Sequence, residues 1–270
     1  MLRQRLITAF LIIPWIVMGA LYLPNPWLAF LLALLVLGCA WEWAGLCGVM
    51  APAGRLAYVA GMAVILWLLH PPGPQTLCLL GGVTLGWLGI VLWLSSVRVI
   101  PGASGLDGGL LVAGVAIWVP PWLALVWLDR QPQGPAWMLA LLILIWTADS
   151  AAYFVGRQYG TRRLAPQISP GKSLEGAVAA LGSAALLALG LAWQLDKPLD
   201  AALGLVVLAV VTAALSIAGD LLESWLKRRR SVKDSGALLP GHGGLLDRLD
   251  SLTAAAPCFV WGGYWLGLWS

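Results

Sequence analysis

The chain has 270 residues and a formal net charge of +4, yet only 10% of its residues are charged and 60% are hydrophobic. Soluble domains carry roughly 25% charged residues, so this composition, with its mean hydropathy of +0.87, excludes a protein whose main solvent is water. At roughly 20 apolar residues per bilayer crossing, the length leaves room for about eight to ten spans.

Apolar runs bounded by Pro, Gly and charged residues predict about nine transmembrane helices, and therefore an all-α, polytopic integral membrane protein. We expect these helices near residues 7–24, 27–47, 55–70, 76–95, 109–128, 136–155, 174–194, 201–222 and 252–269. The pair Pro120–Pro121 removes N–H donors from the fifth run and predicts a kink or a break there. The seventh run is rich in Gly and Ala, which favours close helix packing in lipid.

The charge distribution predicts the orientation. With nine spans and an uncleaved first span, only Arg130 and Lys197 of the 16 basic residues lie on the side opposite the N-terminus. The positive-inside rule then places the N-terminus and the basic connectors in the cytoplasm. We expect a multi-pass protein of a bacterial-type cell inner membrane.

The chain divides into two predicted regions. Residues 1–130 hold spans one to five, and residues 131–270 hold spans six to nine, which we expect to be the catalytic membrane region. Two long polar cytoplasmic connectors, 156–173 and 223–251, lie in the second region, and function should be sought there.

Acids within or near the predicted spans are the first candidates for function. Asp149 and Asp220 each precede one of the polar connectors, and acids in lipid are costly enough that they usually mark function or a paired cation. A packing pair with Arg157 or a neighbouring serine remains open for Asp149. Glu42 could likewise only anchor its helix by bonding to an arginine.

The last connector combines an anion-binding half with a cation-binding half. Its basic residues can neutralise a polyphosphate or an anionic lipid, and they are Lys227, Arg228, Arg229, Arg230 and Lys233. Its acids, Asp234, Asp247 and Asp250, supply the hard oxygen ligands that suit Mg²⁺. Glycines 241, 243 and 244 around His242 let the backbone approach a phosphate, although such a turn is also an ordinary loop signal.

The earlier connector carries a second anion-binding pattern. Ser169–Ser173, which includes Lys172, has the composition of a phosphate-binding turn, and Ser173 predicts a cap on the following helix with Gly176 one turn inside. A simple Pro-Gly turn followed by a helix cap is the alternative.

Together these motifs resemble a known family. From Ser224 to Asp250 the connector is similar, without a gap, to the signature of the phosphatidate cytidylyltransferase (CDP-diacylglycerol synthase) family. Residues 149–157 and 169–176 resemble further motifs of that family, and the resemblance covers residues 130–265. Ser173–Leu174 departs from the pattern, which more often has Thr followed by an aromatic residue.

The resemblance implies a fold of nine transmembrane helices, a homodimer, and a polar cavity open to the cytoplasm and to lipid. It implies Mg²⁺ dependence with K⁺ as a second metal, and CTP and phosphatidic acid as substrates, with no nucleic acid partner. Asp220, Asp247 and Lys227 become the expected catalytic residues, and Asp220, Asp247 and Asp250 the expected metal ligands. The expected substrate-binding residues are Ser224, Arg228, Lys233, Lys172, Ser169, His242, Arg248 and Asp149.

Two other functions remain as alternatives. A transporter or channel would show inverted repeats and polar sites at the membrane midplane, whereas the polar residues here gather at one face. A different CTP-using membrane enzyme, such as a polyprenol kinase-like protein or a transferase for another lipid phosphate, is less compatible with the 224–250 signature.

Overall fold

The computed structural model describes residues 14, 16–236, 238 and 243–269. After a helical stretch at 16–22, the elements are α1 (Asn25–Leu46), α2 (Pro52–Leu68), α3 (Gln75–Ser96), α4 (Gly108–Asp129), α5 (Gly134–Tyr159), β1 (Arg163–Ala165), β2 (Ser169–Ser173), α6 (Leu174–Gln194), α7 (Leu199–Arg229), α8 (Leu246–Leu249) and α9 (Leu252–Trp265). The predicted all-α class is confirmed, with one short antiparallel hairpin between α5 and α6.

The helix lengths confirm a multi-pass membrane protein. Among the described residues, six helices are long and apolar enough to cross a bilayer: α1, α3, α4, α5, α6 and α7. Helix α2 has 17 residues and α9 has 14, so α9 spans only about 21 Å at about 1.5 Å per residue. The first predicted span, 7–24, lies mostly outside the described residues, so the count of nine stays a prediction.

The expected break at the proline pair is wrong. Helix α4 runs without interruption through Pro120 and Pro121, both of which are buried. The neighbouring Trp122 donates its indole N–H to the carbonyl of Ala29 on α1 at 2.9 Å. Contacts with α1 and α9 therefore support the helix where two backbone donors are missing, as neighbouring helices commonly do for proline in membrane helices.

Helix α6 confirms the close packing that its composition predicts. Its buried residues include Ala180, Ala184, Ala188 and Ala192, spaced four apart along one face. Because these side chains are small, α5 and α7 approach this face closely. At its start, a Cβ on Gly176 would lie 2.7 Å from the carbonyl oxygen of Ala152 on α5, so the crossing requires glycine.

Several connectors meet at one end of the bundle. The guanidinium of Arg230 donates to the carbonyls of Leu46, Ala103 and Gly105 at 2.6, 2.9 and 2.7 Å, which ties the end of α7 to the α1–α2 and α3–α4 connectors. At the other end Arg130 donates to the carbonyl of Pro72 at 3.4 Å. Basic residues thus cluster at the end where α7 finishes.

Helix α7 is the element that carries the candidate site out of the bundle. Its 31 residues span about 46 Å at about 1.5 Å per residue, which exceeds the roughly 30 Å of a bilayer hydrocarbon core. The last two turns of α7 therefore belong at the membrane surface, beside the β1–β2 hairpin.

Candidate active site

The end of α7 presents one polar face. Glu223 and Ser224 lie three and four residues after Asp220, and Lys227 lies four and three residues after them, which places these side chains on neighbouring turns of the same side. Ser224 donates its hydroxyl to Asp220 Oδ1 at 3.2 Å. Lys172, from β2, places Nζ 2.7 Å from Asp220 Oδ2. Residues from the two predicted connectors are therefore brought together, as expected.

Lys227 lies between two carboxylates. Its Nζ is 3.0 Å from Glu223 Oε1 and 2.5 Å from Asp247 Oδ1. The Glu223 side chain is only 2% exposed, and its Oε2 has no hydrogen-bond partner among the described residues. Burial, together with the negative charge of Asp250, raises the pKa of Glu223, so Asp247 rather than Glu223 is the charged partner of Lys227. Lys227 thus joins the helix to the connector that carries Asp247.

Asp247 lies in the short helix α8 and is held by donors from both sides of the connector. Its Oδ2 accepts hydrogen bonds from the backbone N–H groups of Ser235 at 3.0 Å and Gly244 at 2.9 Å. Burial raises the pKa of Asp247, but the neighbouring Glu223 carboxyl, the Lys227 ammonium and these two amides outweigh burial and hold the pKa well below its usual range. Asp247 is therefore a fixed negative charge.

Asp250 lies one turn after Asp247 and is half-buried. It accepts a hydrogen bond from the Ser251 amide at 2.7 Å. Burial, together with the negative charge of Asp220, raises the pKa of Asp250 to about 7. A cation placed between Asp220 and Asp250 would lower the pKa of Asp250 and favour the ionised form of both carboxyl groups.

Glu42 fixes the connector to α1. Its side chain is 3% exposed and accepts hydrogen bonds from the amides of Leu245 at 3.2 Å and Leu246 at 2.9 Å, and from the Ser235 hydroxyl at 2.9 Å. Glu42 is thus an anchor, but for backbone amides rather than for an arginine. The backbone N–H groups in the first turn of a helix have no acceptor within that helix. For α8, the Glu42 carboxylate on α1 supplies the acceptor.

Two glycines of the connector are required by this geometry. Gly243 has a φ of +81°, in the left-handed region that favours glycine. At Gly244 a Cβ would collide with the Ser235 hydroxyl and leave no room beside the Glu42 carboxylate. The glycine-rich stretch therefore serves the packing of Glu42 and Asp247 directly.

The basic run divides into arginines that bind other parts of the fold and basic residues that are exposed to solvent. Arg229 pairs with Asp107 at 2.8 Å and lies over the Trp225 ring, and Arg230 holds three carbonyls. These contacts engage both guanidinium groups, and the expectation that Arg229 and Arg230 could neutralise a polyphosphate stays a prediction. Arg228 is exposed, with Nε 3.4 Å from the Ile168 carbonyl, and Lys233 is exposed.

The remaining predicted residues differ in how close they come to the cluster. Asp149, on α5, lies within electrostatic range of Lys172 and Asp220. Arg157 donates to the Tyr153 hydroxyl and does not pair with Asp149. Ser169 belongs to β2 and pairs with Ala165. Ser169–Ser173 is thus an extended strand and not the phosphate-binding turn that we expected.

Three further expectations have simple outcomes. The predicted cap on α6 is confirmed, since Ser173 Oγ accepts from the Gly176 amide at 3.1 Å. Arg248 lies on α8 directly after Asp247 and is exposed. His242 lies outside the described residues.

Comparisons with known proteins cover almost the whole chain. The model of the cytidylyltransferase family matches residues 3–263. A protein of Pseudomonas aeruginosa named phosphatidate cytidylyltransferase is 42% identical over 274 aligned residues, covering 98% of this chain and 99% of its own length.

The chain belongs to the cytidylyltransferase family.

Shorter matches within this family point the same way. Proteins named phosphatidate cytidylyltransferase are 50% identical over 125 residues in Haemophilus influenzae and 42% identical over 134 residues in Bacillus subtilis. These alignments cover 45% and 48% of this chain, and 43% and 48% of the relatives. Membership makes the chain a CTP-dependent nucleotidyltransferase, so the charged cluster at the end of α7 is its candidate active site.

Sequence reasoning missed two residues of this site. Glu223 was overlooked although it lies three residues after Asp220 and four before Lys227, spacings that place it on the same helical face. Ser235 was overlooked because a serine after a basic run resembles any loop residue, and only the fold brings it against Glu42 and Asp247.

The carboxylates of the site suit Mg²⁺ in their chemistry. Asp220, Asp247 and Asp250 offer hard oxygen ligands, and Glu223 adds a buried oxygen without a donor. Within the described ranges no group of three or more acidic, His or Cys side chains is arranged to hold a metal ion, and Lys172 and Lys227 lie against Asp220 and Asp247. The residues present therefore fit the ion by donor type, with lysines neutralising the acids.

Proposed function

We propose that this chain transfers the cytidylyl group of CTP to phosphatidate, forming CDP-diacylglycerol and pyrophosphate. The observation that carries the proposal is the cluster of Asp220, Glu223, Lys227 and Asp247 at the surface end of a membrane helix. A site there can meet a soluble nucleotide while the acyl chains of the lipid stay in the bilayer. The relatives that share the family bear the name of this activity.

In the proposed reaction a phosphate oxygen of phosphatidate attacks the α-phosphorus of CTP. The new P–O bond forms as the bond between the α-phosphorus and the β-phosphate oxygen breaks, and pyrophosphate leaves with that electron pair. Because the nucleophile is already an anion, no strong general base is needed. Catalysis then depends on positioning and on neutralising charge at the transferring group.

The chain's own residues divide these tasks. Lys172 lies beside Asp220, and Arg228 and Lys233 are exposed cations of the last connector region; all three are suited to the triphosphate and the leaving pyrophosphate. Ser224 presents its hydroxyl beside Asp220. Lys227 keeps the Asp247 carboxylate in place, so its removal would disturb the acids rather than only remove a phosphate contact.

The proposal includes a resident metal. Asp220, Asp247 and Asp250 would hold Mg²⁺, which neutralises charge on a transferring phosphoryl group when it is bound. K⁺ is the second metal that we propose. The carboxylate donors and the unpartnered oxygen of Glu223 support a cation in this cluster.

Location and assembly complete the proposal. The clustering of basic residues at the α7 end supports a cytoplasmic site in a bacterial inner membrane, by the positive-inside rule. The partners are CTP, phosphatidic acid and the lipid bilayer, and we propose a homodimer.

The proposal is tested by measuring the transfer of label from CTP into lipid. Purified protein, phosphatidic acid and Mg²⁺ are incubated with CTP labelled at the α-phosphate, with and without a chelator. Label in a chloroform-soluble product that disappears with chelator is the expected result. No labelled lipid from folded protein would overturn the proposal, and activity with another lipid phosphate would identify the alternative enzyme.

A further inference from the structure

An open groove lies between α3, α6 and α7, on the side of the bundle that carries the β1–β2 hairpin. Its cavity volume is about 270 Å³, and it passes beneath the β1–β2 hairpin. This volume is close to the lower end of the roughly 300–1,000 Å³ of small-molecule sites.

The groove changes in polarity along its length. Helix directions order the lining residues: Val91, Leu181 and Ala214 lie at the deep end, which is farther along the helices from the end where α7 finishes. Arg98 and Gln167 line the outer end, where α3 has finished and the hairpin begins. An occupant must therefore be apolar at one end and polar or anionic at the other.

The outer end of the groove lies next to the candidate active site. Ala214, Ile217, Ala218 and Leu221 line the groove along one face of α7, and the next turns of that face bear Ser224 and Arg228. Ile168 also lines the groove, and its carbonyl is the acceptor of Arg228 Nε at 3.4 Å. One occupant can therefore lie in the groove and reach the charged cluster.

Arg98 provides charge complementarity at the outer end. It is exposed and makes no hydrogen bond or ion pair with the residues that the structure describes. Arginine retains its charge and offers forked hydrogen bonds to phosphate oxygens. Its position fits an anionic headgroup at the mouth of an apolar groove.

We propose that this groove holds one acyl chain of the phosphatidate substrate, with the lipid phosphate directed to Arg98. The proposal rests on the proposed function, and it makes Ala214 a determinant of acyl-chain length. From Ala214 to Leu221 the wall extends about 10 Å along α7, at about 1.5 Å per residue. Small residues there leave the room that a chain needs.

A filling substitution with a matched control tests the groove. Ala214→Phe fills the deep end at an exposed position that a larger side chain can occupy, and Val207→Phe places the same ring two turns away on the same helix, outside the groove. For Ala214→Phe, KM for dioleoyl phosphatidate should rise about tenfold, equivalent to about two buried methylene groups. KM for dihexanoyl phosphatidate, KM for CTP and kcat should not change.

Arg98→Gln tests the headgroup end. It should raise KM for the long-chain and the short-chain phosphatidate alike and leave KM for CTP unchanged. The acyl-chain assignment would be refuted if Ala214→Phe raised KM equally for both lipids. It would also be refuted if Val207→Phe and Ala214→Phe changed KM for the long-chain lipid equally.

Binding without turnover separates the two proposals. Labelled dioleoyl phosphatidate is titrated into the purified protein in detergent without CTP, with phosphatidylcholine as competitor. We expect dioleoyl phosphatidate to bind more weakly to Ala214→Phe than to the wild type, and phosphatidylcholine to compete little for the site. Equal competition by phosphatidylcholine would mean a bulk-lipid groove and refute the substrate assignment. Wild-type protein that binds phosphatidate but forms no CDP-diacylglycerol would refute the proposed function alone.

Discussion

Replacing Glu42 tests whether a residue distant in sequence positions the catalytic connector. Its carboxylate accepts from the Leu245 and Leu246 amides and from the Ser235 hydroxyl. In Glu42→Gln one oxygen becomes an NH₂ group, which faces an amide donor and leaves it without an acceptor. An unsatisfied buried donor costs about 1–3 kcal/mol, which corresponds to roughly a 5- to 150-fold change in a local equilibrium.

The expected result is a loss of activity through local opening of residues 243–249. The value of kcat should fall, by at most about that factor, because the connector that carries Asp247 is closed for a smaller fraction of the time. Glu42→Ala removes both acceptor oxygens, and with them all three hydrogen bonds, and should abolish measurable turnover. Hydrogen exchange tests this local opening directly: the Leu245 or Leu246 amide should lose protection from exchange in Glu42→Gln.

Trp43→Phe is the matched control. Trp43 is the next residue of α1, is 2% exposed, and donates its indole N–H to the Leu110 carbonyl at 2.8 Å, away from the connector. This variant should lower the thermal unfolding temperature while the folded enzyme keeps its kcat. Wild-type kcat and amide protection in Glu42→Gln, or equal losses of kcat in both variants, would refute the positioning role.

The remaining predictions concern the charged cluster and its orientation. Asp247→Asn should abolish activity while membrane insertion and unfolding temperature stay near wild type, and near-normal turnover would remove Asp247 from the site. Arg228→Ala should raise KM for CTP about tenfold, as expected when one charge-assisted hydrogen bond is lost, whereas Arg230→Ala should chiefly lower the unfolding temperature; the reverse pattern would contradict the division of the basic run. Cysteines introduced at 231–236, in a Cys78→Ser background, should react with a membrane-impermeant maleimide from the cytoplasmic side, and labelling from outside would overturn the orientation.

Helices and the general position of the site could be predicted because their signals are local. Apolar runs and flanking charges mark spans by composition alone, and the Ser173 cap depends on residues within one turn. The end of a helix is less well marked. Helix α7 continues to Arg229, past the predicted limit at 222, because internal ion pairs stabilise polar residues that hydropathy alone reads as a connector.

The partners of the charged residues could not be predicted, because they come from distant parts of the chain. Arg228 and Arg230 are two residues apart and similar in sequence context, yet one is exposed and the other holds carbonyls more than a hundred residues away. Glu42 had two open interpretations, and the distinction depends on the connector folding onto α1. Such assignments require the tertiary fold.

The most direct test of the central claim follows the oxygen atoms. Phosphatidate labelled with ¹⁸O at the nonbridging oxygens of its phosphate is incubated with the purified protein, CTP and Mg²⁺, and the products are analysed by mass spectrometry. If a phosphatidate oxygen attacks the α-phosphorus, CDP-diacylglycerol should retain all of the ¹⁸O and pyrophosphate should contain none. Loss of ¹⁸O from the lipid product, or no CDP-diacylglycerol from folded protein, would contradict the account.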